Sequence, residues 1–248
     1  MNIHVADRDF YNNIVSWRHL DVLAENLRIN AVRILKEDVL QELPEVTYTP
    51  VFYQLEPARL ALYKKLAAEQ LLLINEQKLD ATVASKLFHA LGQVVCNYDD
   101  YSGDPNKRSA CFDVLNSIFE GLGPTEKLVV FASYRRTNRK LLSFLTKYNA
   151  VAAYGDQTIA QNRAAIEKFI SDPECRILIA QPTSAGIGID GLQQVCRDAV
   201  FLEIPSVRDF HQAVSRLHRS GQKNGVHIRI ATAEGTIQGN GPVCTVLS

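Results

Sequence analysis

Short apolar runs dominate the second half of the chain: KLVVFAS (127–133), NAVAAYG (149–155), CRILIAQ (175–181), DAVFLEIP (198–205) and VHIRIA (226–231). Each has the length of a strand, and none alternates apolar with polar residues as a half-exposed strand would. Between them the pattern changes to a helical period. Leu141, Phe144, Leu145 and Tyr148 recur at i, i+3, i+4 and i+7, and 160–171 and 207–220 also read as helices. Strands buried on both faces and separated by helices specify an α/β fold, a parallel sheet flanked by helices. Right-handed crossovers then place the functional loops at the carboxyl ends of the strands.

The first half reads as mostly helical. Leu20, Leu23, Leu27, Val32, Leu35 and Val39 keep a helical spacing across 15–42, ahead of Pro44. VTYTPVFYQL (46–55) is β-rich but holds Pro50, so it is expected at a sheet edge. Pro57 opens a helix to about Ile74, and another is expected from about Thr82 to Leu91, stopped by Gly92. NYDDYSGDPN (97–106) is a loop by composition. The expected division is a helical segment over 1–100, an α/β lobe over 101–238 and a flexible tail over 239–248.

Lys+Arg and Asp+Glu balance at 27 each, which excludes a bulk positive field for coating nucleic acid or membrane but leaves room for local phosphate contacts. Cys96, Cys111, Cys175, Cys196 and Cys244 are widely spaced with no C-x-x-C pair, and the histidines form no H-E-x-x-H. They read as thiols of a reducing compartment, with no metal site. No apolar run is long enough to span a membrane and no signal-peptide profile opens the chain, so a cytoplasmic or nuclear protein is expected.

Two loops carry chemistry. In PTSAGIGIDGLQ (182–193), Gly186, Gly188 and Gly191 allow close backbone approach to a ligand, or simply a flexible turn. Asp190 offers a carboxylate for a ribose hydroxyl or for a neighbouring arginine. In HQAVSRLHRSGQ (211–222), the i, i+4 and i+3 spacing puts Gln212, Arg216 and Arg219 on one face of a helix. Guanidinium groups bind pairs of phosphate oxygens and stay charged. The plainer alternative is an exposed helix face. His218 reads as packed or solvated.

Taken in order, these segments resemble the second RecA-like lobe of superfamily-two helicases, and most closely the Swi/Snf-type DNA translocases. QAVSRLHRSGQ (212–222) fits the family's Q-A-x-x-R-x-H-R-x-G-Q. LRINAVRILKEDVLQELP (27–44), FYQLEPARLALYKKL (52–66) and LGQVVCN (91–97) are similar to its upstream segments. The resemblance implies that Arg216 and Arg219 are catalytic arginines presented to ATP phosphates across a cleft, with Gln212 the motif's first residue. It places Gly186, Gly188 and Asp190 on the motif coupling ATP to nucleic acid. It also implies that Ser133, Tyr134, Arg135 and Thr158 face nucleic acid, with Thr183 or Ser184 standing in for a missing threonine hydroxyl.

The departures are specific. Gln181 and Pro182 occupy the family's Ser-Thr seats, Arg18, Arg28 and Arg33 form no Arg-Arg pair, and Tyr98-Asp99 replaces His-Pro. The tail GTIQGNGPVCTVLS (235–248) becomes Gly-rich where a brace helix is expected. The chain contains neither G-x-x-x-x-G-K-[ST] nor D-E-x-[DH], the elements that cradle phosphates and hold Mg²⁺. The resemblance therefore implies the back half of a motor: residues 1–100 as protrusion and connector, then the carboxyl-terminal lobe. ATP and Mg²⁺ would bind in the complete two-lobe protein and neither tightly to this chain alone. The expected partners are an N-terminal RecA-like lobe and double-stranded DNA, with no membrane. A stand-alone DNA- or protein-binding module is the alternative, and an RNA helicase lobe is disfavoured by the H-R-S-G-Q ending.

Overall fold

A computed structural model describes residues 5–8, 14–30, 42–76, 81–97, 109–183, 190–203, 205–236 and 238. The chain forms two compact units, Met1–Glu42 and Leu43–Ser248. In the first, β1 (Val5–Arg8) pairs antiparallel with β2 (Ile14–Trp17), and α1 (Leu20–Asn30) follows. The helix expected over 15–42 is thus realised only from Leu20, and Val15–Trp17 is strand. Its β-branched and aromatic residues suit a pleated surface once a partner strand is present. Residues 31–41 lie outside the described residues.

The second unit begins with β3 (Val46–Tyr53), α2 (Pro57–Glu76), α3 (Ala81–Cys96) and α4 (Ala110–Glu120). Then strands and helices alternate: β4 (Leu128–Phe131), α5 (Arg135–Phe144), β5 (Val151–Ala153), α6 (Ile159–Ser171), β6 (Ile177–Ala180), α7 (Leu192–Val195), β7 (Asp198–Phe201), α8 (Val207–Leu217) and β8 (Val226–Ala233). The strands form one parallel six-stranded sheet in the order β3-β8-β7-β4-β6-β5. This is the expected α/β sheet. The chain leaves β4 toward β5 and β6, then returns past it to β7, so the topological switch lies beside β4. Ligands of open α/β sheets bind at the carboxyl ends of the strands near such a point. Pro50 lies on β3 at the edge, where its missing N–H disturbs only one side of the strand. The sheet draws this edge strand from residues ahead of the boundary expected near 100.

β4, β6 and β7 are buried along their whole length, and successive side chains enter opposite cores. Leu128, Val130, Ile177, Ile179 and Val200 pack with α3, α4 and α5 through Val95, Leu115 and Leu141. Val129, Phe131, Leu178, Ala199 and Phe201 pack with α6 and α8 through Phe169, Phe210 and Leu217. A stack of Phe131, Phe201 and Phe210, with ring centroids 4.7 and 4.6 Å apart, ties α8 to the sheet. Cys96, Cys111, Cys175 and Cys196 are buried free thiols, and Cys244 lies outside the described residues. No described helix is long and apolar enough to cross a membrane.

Two helix ends differ from the sequence reading. The helix expected over 135–148 ends at Phe144, and a short 3₁₀ turn, Thr146–Tyr148, closes on Asn149 at φ +52°. At the other, Gly92 does not stop α3, which runs on to Cys96. The glycine is there for space: a Cβ would strike the phenol of Tyr134. Tyr134 lies across this gap, its hydroxyl 3.3 Å from the His89 carbonyl and its ring edge-on to His89. Glycine costs a helix interior about 1 kcal/mol relative to alanine. Gly92→Ala should therefore stabilise the protein by about that amount in a Tyr134→Ala background but not when Tyr134 is present. A urea-unfolding double-mutant cycle measures the difference.

Candidate functional site

The turn after β4 is built around a buried acid. Glu203, just beyond β7 and 2% exposed, accepts the backbone N–H groups of Ser133 and of Tyr134 (3.2 Å). Its other oxygen accepts the Thr137 hydroxyl at 2.6 Å, and Asn97 Nδ2 donates to that hydroxyl at 3.0 Å. Burial pushes the Glu203 carboxyl up to about 7, against the pull of these hydrogen bonds. Asn138 Nδ2 closes the turn from within by donating to the carbonyls of Ala132 (3.1 Å) and Tyr134 (3.0 Å). With the Tyr134 ring on α3, the exposed Arg135 side chain is what this turn offers outward.

The neighbouring loops join it. Asp156, after β5, pairs with Arg135 at 3.3 Å and also with Arg139. Thr158 caps α6: its hydroxyl accepts the Gln161 N–H at 3.2 Å, and the Gln161 side chain accepts the Thr158 N–H at 2.9 Å. That reciprocal pair satisfies two donors of the helix start. Gln181, directly after β6, reaches both adjacent loops, donating to the Ser133 carbonyl at 2.9 Å and accepting the Gly155 N–H at 3.2 Å. Thr183 is exposed beyond it, while Ser184, Gly186 and Gly188 lie outside the described residues.

Gln212 and Arg216 lie one turn apart on α8, both half-buried. Arg219 is not on the same helix face: α8 ends at Leu217, and Arg219 sits in the turn that follows. That turn closes with Gly221 at φ +94°, a conformation that suits glycine. Gln222 is buried beneath it, donating to the carbonyls of Cys196 (3.0 Å) and Leu217 (3.2 Å) and accepting the N–H groups of Lys223 and Asn224. Of the two roles open to Asp190, the structure has the arginine partner: Arg219 Nη1 lies 3.2 Å from its Oδ1, on the surface. His218 packs, its Nε2 at 2.9 Å from the Pro44 carbonyl.

The structure thus brings Ser133, Arg135, Gly155–Thr158 and Gln181 into one network, and Asp190 and Arg219 into a second. The sequence reading missed Glu203, Asp156, Gln222 and the linking role of Gln181. The partners of Glu203, Asp156 and Gln181 are 17 or more residues distant in sequence, and only the terminal glutamine of H-R-S-G-Q carried a signal.

Comparison with known proteins bears on this arrangement. Residues 110–221 match the helicase conserved C-terminal domain. That match spans β4 to the turn holding Arg219 and takes in both loop networks. An uncharacterized ATP-dependent helicase of Mycoplasma genitalium is 27% identical over 215 residues, covering 84% of this chain and 20% of that protein. The chain spans about a fifth of the length of that relative. The C-terminal part of the Fun30 ATPase domain superposes with a TM-score of 0.65 at 16% identity, over 83% of this chain and 89% of that one. A Sulfolobus solfataricus SWI2/SNF2 ATPase core in complex with dsDNA superposes with a TM-score of 0.62 at 17% identity, over 88% and 48%. The fold is that of the SWI2/SNF2 C-terminal ATPase lobes, as the motifs implied.

The raised Glu203 value sets a pH dependence of stability. Between the ordinary carboxyl value of 4.5 and about 7, the folded state holds a proton that the unfolded state has released. Stability is therefore greatest at the acid end of that window and falls as pH rises through it, by about 3 kcal/mol at most. Subtracting the unfolding free energy of Glu203→Gln from that of wild type at each pH should yield this declining curve. A flat difference would contradict it.

Proposed function

We propose that this chain is the carboxyl-terminal motor lobe of an ATP-dependent double-stranded-DNA translocase, supplying arginines to the nucleotide and backbone contacts to the duplex. The observation carrying the reading is the Arg219–Asp190 pair in the turn after α8, the helix that bears Arg216, inside the residues that match the helicase domain. Gln212 lies one turn before Arg216 on that helix.

The residues fit the phosphate end of a nucleotide. Two guanidinium groups can take phosphate oxygens and offset charge there. Among the described residues, no group of three or more His, Cys, Asp or Glu is placed to hold a metal ion. The N-terminal RecA-like lobe is therefore the proposed source of the phosphate cradle and of the Mg²⁺ ligands. ATP bound in the complete protein would supply a phosphoryl group to water, with ADP as the leaving group. Arg216 and Arg219 stabilise the negative charge that develops in that step.

On the same reading, Arg135, Thr158 and Thr183 approach the sugar-phosphate backbone. Contacts of that type position a protein on DNA without reading its sequence. The dsDNA complex of the Sulfolobus core supports this choice of partner. In the complete two-lobe protein, Arg219→Ala should lower DNA-stimulated ATP turnover by about 10³-fold without shifting the thermal midpoint. Undiminished turnover would overturn the assignment.

A further inference from the structure

We propose that Gln181 is a positioning residue that ties three strand-end loops into one rigid edge and thereby sets the grip on duplex DNA; its role in the grip rests on the nucleic-acid reading above. β6 lies between β4 and β5, and Gln181 is the first residue past its end. From there one side-chain amide reaches both neighbours. Its Nε2 donates to the Ser133 carbonyl at 2.9 Å, and its Oε1 accepts the Gly155 N–H at 3.2 Å.

The amide orientation is dictated by its partners, because a carbonyl needs a donor and an N–H needs an acceptor. No shorter polar side chain spans both loops, and a carboxylate would turn an acceptor toward the Ser133 carbonyl. The tie sits in a packed cluster. A Cβ on Gly155 would lie 3.3 Å from Arg135 Nε and 3.4 Å from both Arg135 Nη2 and Gln181 Oε1. Arg135 is in turn paired with Asp156 in the next residue along. Holding the Gly155 turn to the Ser133 turn therefore fixes the spacing between Arg135 and Thr158, the two groups assigned to successive backbone contacts. Glu203 anchors the far side of the Ser133 turn, so the loop set is braced from β7 through β4 and β6 to β5.

The test uses the full chain with Gln181→Met, which keeps length and volume but makes neither bond, and Gln181→Glu. Two quantities are read against wild type at each pH, which cancels the contributions of the neighbouring Glu203, Asp156, Arg135 and Arg139: hydrogen exchange of the Gly155 amide without DNA, and affinity for a duplex. Gln181→Met should speed Gly155 exchange about 10-fold and weaken duplex binding about 10-fold, with the thermal midpoint lowered by only about 2–4 °C. Gln181→Glu keeps an acceptor for the Gly155 N–H but loses the donor to Ser133, so at about pH 8 it should lie between Gln181→Met and wild type. It should approach wild type near about pH 4, where a largely protonated carboxyl again has an O–H for the Ser133 carbonyl. A space-filling role would be met by methionine and would show no such recovery. Unchanged Gly155 exchange in Gln181→Met would overturn the tie. Faster exchange with undiminished duplex affinity would overturn its part in the grip. If wild type binds no duplex, the DNA reading fails, and Gly155 exchange alone decides whether the tie exists.

Discussion

The carboxyl edge of the sheet depends on satisfying one buried carboxyl group. Glu203 sits past the end of β7, shielded from water, where an unpaired charge would be costly. Its acceptors are filled by two backbone N–H groups of the Ser133–Tyr134 turn and by the Thr137 hydroxyl at the start of α5. Asn97, at the end of α3, completes the chain behind Thr137. Satisfying that group therefore fixes the β4 turn, the entry of α5 and the end of α3 relative to the sheet. The Tyr134 ring over Gly92 adds an apolar lock in the same place. Arg135 consequently projects from a turn whose backbone has little freedom left.

The two candidate nucleotide arginines are held differently. Arg216 is part of α8, which the phenylalanine stack seats on the sheet. Arg219 is held by a turn anchored on buried Gln222 and by an ion pair to Asp190 on the surface. Exposed ion pairs contribute about 0–1 kcal/mol, so Asp190 orients Arg219 without trapping it. A guanidinium that swings onto a phosphate then gives up little. A backbone fixed by Gln222 with a side chain only lightly restrained suits the proposed role, in which the group engages when a second lobe closes.

The sheet was legible because burial on both faces leaves a plain mark: KLVV, ILIA and DAVF have no polar face to hide. Pro50 placed its strand at an edge for a sound local reason. Local cues failed where a distant group decided the outcome. Gly92 reads as a helix stop until Tyr134, some forty residues later, is seen to need its space. Residues 15–17 read as helix until β1 supplies strand partners. The shared helical face of Gln212, Arg216 and Arg219 breaks because α8 ends before Arg219. Glu203 and Gln181 stand in apolar strand-end segments with nothing nearby to signal a hydrogen-bonding role. Their chemistry arises only when the parallel crossovers bring the strand ends together, whereas the arginines were legible because their motif is contiguous.

The most direct measurement is amide hydrogen exchange across the whole chain with and without duplex DNA. If the carboxyl edge of the sheet is the working surface, added protection should concentrate in 133–136, 155–158 and 181–183. It should leave the amino-end residues around Glu126, Arg197 and Asn224 unchanged. Protection at that opposite end, or none on a duplex that demonstrably binds, would contradict the assignment of this edge as the DNA-facing side.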